Sequence, residues 1–132
     1  MKISTPHIDN KDINYVKKVI KSSWISTSSL YVNTFEKKIS KISGTKYAVA
    51  TNSGTSAIHL ALIALGVNEN CEVIVPSITF IATANPILYL KAKPIIFDVD
   101  EKYNLKIDDV LKFIKKKTIF KNNKTINKKT KK

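Results

Sequence analysis

The sequence predicts an α/β domain with a mostly parallel sheet. Three apolar runs of about five residues, Tyr47–Thr51, Glu72–Pro76 and Pro94–Asp98, start 25 and 22 residues apart. Between them Thr55–Leu65 and Phe80–Leu90 are helical in length, and strands apolar on both faces with helices between indicate right-handed βαβ crossovers. At 132 residues, 43% hydrophobic and 25% charged, the chain suits one small layered domain rather than two. With only three Gly and four Pro, wholesale disorder and collagen-like repetition are excluded.

Each element has its own local reason. A first helix is expected from Asp9 to Ser22, capped by Asp9 or Asn10, with Ile13, Val16, Val19 and Ile20 on one face. The stretch Ser22–Ser29 is small and polar apart from Trp24 and Ile25, which predicts a loop. A second helix is expected from Asn33-Thr34, carrying Phe35, Ile39 and Ile42 inward until Gly44 stops it. After the three strands and their crossovers, a last helix over about 107–116 packs Val110, Leu111 and Phe113 or Ile114. Beyond it the periodic signal fades, and Ile119-Phe120 is too short to cover the open edge that a three-stranded parallel sheet leaves. That edge predicts that the chain is the amino-terminal part of something longer.

Charge divides the chain at the same place. The net charge is +13, but Lys112–Lys132 hold ten Lys and no acid, while residues 1–111 hold 13 Lys and ten acids. All 23 cations are Lys, so the bidentate guanidinium contacts that read guanine edges are unavailable. A block of like charge reads as a solvated segment, and no nucleic-acid partner is expected. The organisation is therefore a body over 1–111 and a lysine-rich connection over 112–132. Cys71 is the single cysteine, and no apolar leader follows the polar opening, so a reduced, cytoplasmic setting is expected. The longest apolar stretch, Ala57–Leu65, is far short of the ~20 residues of a membrane span, and no membrane partner is expected. No metal-ligand spacing is present.

The chemistry concentrates where strands give way to helices. In Thr51-Asn52-Ser53-Gly54-Thr55-Ser56-Ala57-Ile58-His59-Leu60, Gly54 permits a tight turn, and the amides and hydroxyls that follow meet the positive end of a helix dipole. That suits a phosphate dianion. The same residue types also make an ordinary helix cap, and the pattern is neither a Walker loop nor the dinucleotide fingerprint. A second junction, Val75-Pro76-Ser77-Ile78-Thr79-Phe80, faces the same crevice because neighbouring parallel strands share their carboxyl ends. Phe80 could stack on a flat heterocycle there or serve as a core side chain. His59 reads as a packed helix histidine, and Asp98 and Asp100 as caps of the next loop.

The ordered set of these pieces resembles a known family. Trp24-Ile25-Ser26-Thr27, Phe35-Glu36, Asn52-Ser53-Gly54-Thr55-Ser56-Ala57, His59-Leu60-Ala61-Leu62, Val75-Pro76-Ser77, Thr79-Phe80-Ile81-Ala82-Thr83-Ala84-Asn85, Lys93-Pro94 and Phe97-Asp98-Val99-Asp100 are similar to the DegT/StrS nucleotide-sugar aminotransferases over about residues 3–111. The resemblance implies the amino-terminal half of the large domain of a fold-type-I pyridoxal 5′-phosphate (PLP) enzyme, a three-layer α/β/α unit. It implies that Gly54, Thr55 and Ser56 hold the cofactor phosphate, that Phe80 stacks on the pyridine ring, and that the loop carrying Trp24, Ser26 and Thr27 lies near the substrate entrance. The segment Phe120–Thr130 looks like the lysine-rich connection of the subgroup making 4-amino sugars such as legionaminic acid. Transfer of an amino group, from glutamate, to a 4-keto nucleotide-sugar for bacterial surface glycans follows by resemblance, in a homodimer.

The resemblance also limits what these residues do. Pyridoxal chemistry needs a Schiff-base lysine and a carboxylate on the pyridine nitrogen, and in the family both are expected beyond Lys132. No catalytic residue is therefore assigned, and the chain itself is expected to be inactive. A PLP-dependent sugar dehydratase of the same family, lacking the lysine, is one alternative. A small basic nucleic-acid-binding protein, showing steep salt dependence, is the other.

Overall fold

The structure, a computed structural model, describes residues 5–132; Ile3 and Ser4, where the resemblance begins, lie outside the described residues. Two compact units divide between Ala50 and Thr51.

The first unit holds two helices. α1 (Asn10–Lys21) starts at a capping box: the Asp9 carboxylate accepts the Lys11 and Asp12 N–H groups at 2.7 and 3.0 Å, and Asp9 N–H donates to Asp12 Oδ2 at 3.0 Å. α2 (Leu30–Ser43) begins three residues before the sequence expectation, because the buried Ser29 is the cap and its hydroxyl accepts Val32 N–H at 3.3 Å. Gly44, at φ 68°, ends α2 in the left-handed conformation that a side chain disfavours. Tyr15 and Tyr31 meet edge to face at 5.4 Å. The expected strand Tyr47–Thr51 does not form. Its residues have no β partner among the described residues; instead Ala50 N–H donates to Glu36 Oε1 at 2.8 Å, tying this stretch to α2. An apolar run becomes a strand only when a neighbour supplies the ladder, and none of the described residues does so here.

The second unit carries the α/β core. α3 (Gly54–Ala64) leads through Gly66, at φ 75°, to β1 (Glu72–Pro76), which pairs in parallel with β2 (Lys93–Phe97) in the register Glu72↔Lys93 to Pro76↔Phe97. The connection expected as one helix over 80–90 is split into a 3₁₀ turn (Ile81–Thr83) and the short α4 (Asn85–Tyr89). Pro86 explains the break, since in a continuous helix it would lack the N–H owed to Ala82 and crowd that carbonyl. Val75, Ile87 and Ala92 form the core, with Leu62, Val67, Cys71, Val73 and Leu90 packed around them. α5 (Ile107–Lys117) follows a loop closed by the bridge Val99↔Leu105, and Phe113 packs edge to face on Phe97 at 5.3 Å. The lysine-rich end then folds, against the expectation of a fading signal, into an antiparallel hairpin of β3 (Thr118–Lys121) and β4 (Lys124–Asn127). Asn122 and Asn123 both take positive φ, 53° and 58°, as a two-residue hairpin turn requires.

Candidate functional site

The start of α3 is built by hydroxyls upstream of it. Ser53 caps the helix: its Oγ accepts Ser56 N–H at 3.2 Å, and its carbonyl accepts Ala57 N–H at 3.0 Å. The Ser56 hydroxyl is committed inward, donating to Asn52 Oδ1 at 2.7 Å and lying 3.0 Å from Ser53 Oγ. Two amides remain, those of Gly54 and Thr55, with no protein acceptor among the described residues, beside the Thr55 hydroxyl. The first turn carries no acid. This donor set fits a phosphate: two N–H groups and one hydroxyl without a protein acceptor among the described residues, at the positive end of an 11-residue helix with no acid in its first turn.

Gly54 contributes differently from the sequence expectation of a tight turn. Its φ is not positive, and a Cβ built on it would meet no protein atom within 4 Å. The side of Gly54 on which a Cβ would stand is open space. Ser56 in turn orders the loop through Asn52 rather than offering its hydroxyl.

Phe80 precedes the 3₁₀ turn and presents an aromatic face that is 79% exposed. A hydrogen bond between the Thr79 and Thr83 hydroxyls at 2.8 Å braces that turn, and α3 packs against both the turn and α4. The phosphate-type helix start and the Phe80 junction thus belong to neighbouring elements of one unit. Trp24, Ser26 and Thr27 lie in the other. Trp24 is exposed, Ser26 Oγ accepts Ser28 N–H at 3.2 Å, and Thr27 is exposed on the same turn. His59 packs edge to face on Tyr89 at 5.6 Å.

The acids after β2 serve the loop. Asp100 Oδ1 accepts the Lys102 and Asn104 N–H groups at 2.9 and 2.8 Å. Lys106 Nζ donates to Asp98 Oδ2 at 3.0 Å; that bond, aided by Val99 N–H, holds the Asp98 carboxyl below its ordinary value, and the same contact raises Lys106. Glu36, quoted in the sequence only as part of a pair with Phe35, proves to anchor the segment leading into the α3 loop, a role no local pattern signals. Among the described residues no group of three or more His, Cys, Asp or Glu comes together as a metal site, and no helix is long and apolar enough to cross a membrane.

Residues 6–126 match the sequence profile of the DegT/DnrJ/EryC1/StrS aminotransferase family. The chain belongs to that family. It is 40% identical over 104 residues to the GDP-perosamine synthase of Caulobacter vibrioides, covering 78% of this chain and 28% of that enzyme. Spr1654 of Streptococcus pneumoniae, a candidate sugar aminotransferase solved in its PLP form, superposes with a TM-score of 0.77 at 28% identity, over 85% of this chain and 29% of its own. The Escherichia coli GDP-4-keto-6-deoxy-D-mannose-3-dehydratase with bound hydrated PLP superposes at 0.71 over 83% of this chain and 30% of its own; at 24% identity that likeness carries the fold alone. The fold is therefore the α/β fold of the PLP-dependent aminotransferases, over the part this chain spans, and the cofactor of the family is pyridoxal phosphate. The chain spans less than a third of the length of these relatives.

Proposed function

We propose that this chain supplies the phosphate-holding and ring-facing part of a PLP-dependent aminotransferase that moves an amino group, from glutamate, to a 4-keto nucleotide-sugar for bacterial surface glycans. The observation that carries the reading is the pair of free amides at Gly54 and Thr55 within a stretch matched to the aminotransferase family. Bound there, the cofactor supplies an electron sink through which an amino group is exchanged. The chain's own residues bind and orient. Gly54 N–H, Thr55 N–H and the Thr55 hydroxyl hold the phosphate, Ser56 and Asn52 keep the loop in shape, and Phe80 offers a stacking face. The loop with Trp24, Ser26 and Thr27 is assigned to the substrate entrance, and the assembly to a homodimer in the cytoplasm. None of the 23 lysines is assigned to the Schiff base, so the 132 residues by themselves bind without turnover.

Pyridoxamine 5′-phosphate is the probe of choice, because its amine cannot condense with surface lysines as an aldehyde would. Calorimetric titration should show it binding at least about 10-fold more tightly than pyridoxamine, the scale of one charge-assisted hydrogen bond. Thr55→Glu, which sets a carboxylate in the first turn, should abolish the difference. Equal affinity for the two amines would refute phosphate binding at α3.

A further inference from the structure

The sequence reads residues 112–132 as a solvated connection, yet the structure seats its end against β1. Asn127 is 8% exposed and each of its polar atoms is engaged. Its Nδ2 donates to Glu72 Oε2 at 2.7 Å, Oδ1 accepts Lys129 N–H at 3.0 Å, its carbonyl accepts Lys131 N–H at 2.8 Å, and its own N–H donates to the Lys132 carbonyl at 2.7 Å. Glu72, 55 residues away, opens β1 with its side chain 9% exposed. Its Oε1 has no hydrogen bond and lies 3.8 Å from Lys93 Nζ. With one oxygen already without a donor, this carboxylate depends on Asn127 for the other.

Between the two elements lies a cavity of about 910 Å³. Cys71, Ile74, Ile95 and Phe113 line it from the core side, and Lys124–Asn127 with Lys131 and Lys132 from the other. We propose that residues 124–132 are a strap closing this cavity, and that the Asn127–Glu72 hydrogen bond is its latch: release of the latch opens the cavity at Cys71 while the β1–β2 core stays folded. The strap is the part built to move. Asn127 is its buried side chain, Ile126 and Thr130 are half-buried, and the remaining residues are exposed. Its lysines repel one another with no acid in the strap to offset them. Against release stand the buried Asn127–Glu72 bond, a bond from Lys132 Nζ to the Glu69 carbonyl, and the pairing of 124–127 with β3, so the hairpin moves with the strap.

Cys71 is the chain's one cysteine and is half-buried at rest, so opening is read as a change in its labelling rate relative to the native chain. Its modification by a soluble aromatic disulfide should be slow in the native chain and about 10-fold faster in Asn127→Ala, the scale of a hydrogen bond to a charged group. Asn127→Asp, which sets two carboxylates together, should behave like Asn127→Ala, whereas Glu72→Gln keeps an acceptor oxygen and should label near the native rate. Amide exchange in the native chain separates local opening from unfolding, and amides of 127–131 should exchange well before those of β1. Exchange of both segments at one common rate, or unchanged Cys71 labelling in Asn127→Ala, would overturn the strap.

Discussion

Ile87 is the side chain on which the second unit most depends, and truncating it has a calculable effect. It is 1% exposed, on α4, in a core shared with Val75 of β1 and Ala92 ahead of β2. Removing buried methyl and methylene groups costs about 0.5–1.5 kcal/mol for Ile→Val and about 2–5 kcal/mol for Ile→Ala. The walls here are half-buried residues, Leu62, Val67, Val73 and Leu90, which can relax into a void. Ile87→Ala should therefore fall in the lower half of its range, about 2–3.5 kcal/mol. Against the ~4–12 kcal/mol expected of a unit this size, that is a large fraction. Urea unfolding followed by circular dichroism is the assay. A loss below about 1 kcal/mol in Ile87→Ala, or one no larger than in Ile87→Val, would show that this cluster is not the core of the unit.

Two further outcomes follow from particular contacts. The Asp98 carboxyl should titrate below the ordinary carboxylate value by nuclear magnetic resonance, and Lys106→Met should move its midpoint upward; an unmoved midpoint would remove Lys106 as the cause. The sign is set by the lowered folded value. The small stabilisation from Asp98 is present above the unfolded pKa and lost as pH falls through the folded one, while that from the raised Lys106 is lost only as pH climbs through its own folded value. In the hairpin, Asn123 sits at φ 58°, where glycine carries no steric penalty, so Asn123→Gly should slow amide exchange across β3 and β4. Faster exchange in that variant would mean that the Asn side chain, not the backbone conformation, holds the turn.

Legibility in the sequence tracked how local each determinant is. Asp9 capping α1, Ser53 capping α3 and Gly44 closing α2 act within four residues, and the helices that they bound lie close to their predicted spans. The hydroxyl-capped start of α3 is readable for the same reason. Local rules also carry two features that the periodicity does not: Pro86 forbids a single helix over 80–90, and Asn122-Asn123 tolerates the left-handed backbone of a hairpin turn. The Asn127–Glu72 and Ala50–Glu36 contacts span 55 and 14 residues, and no window of sequence contains both partners of the first. The absent strand at 47–51 belongs here too, since β structure is decided by a neighbour rather than by the run itself.

The same distinction governs the apolar surface. Helical periodicity identifies which side of a helix is apolar; it does not establish that anything covers it. Val16 and Ile20 share a face of α1 as expected, yet are 56% and 59% exposed, and Phe35 and Ile42 of α2 are 54% and 83% exposed. Phe80 belongs with them in exposure but differs in setting. It stands at a strand-to-helix junction, its turn braced by Thr79 and Thr83 and packed beside the helix whose first two amides are unused. Exposure alone would class Phe80 with the uncovered helix faces. Its position on a braced junction, packed beside a helix start whose first two amides have no protein acceptor among the described residues, is what separates it from those faces.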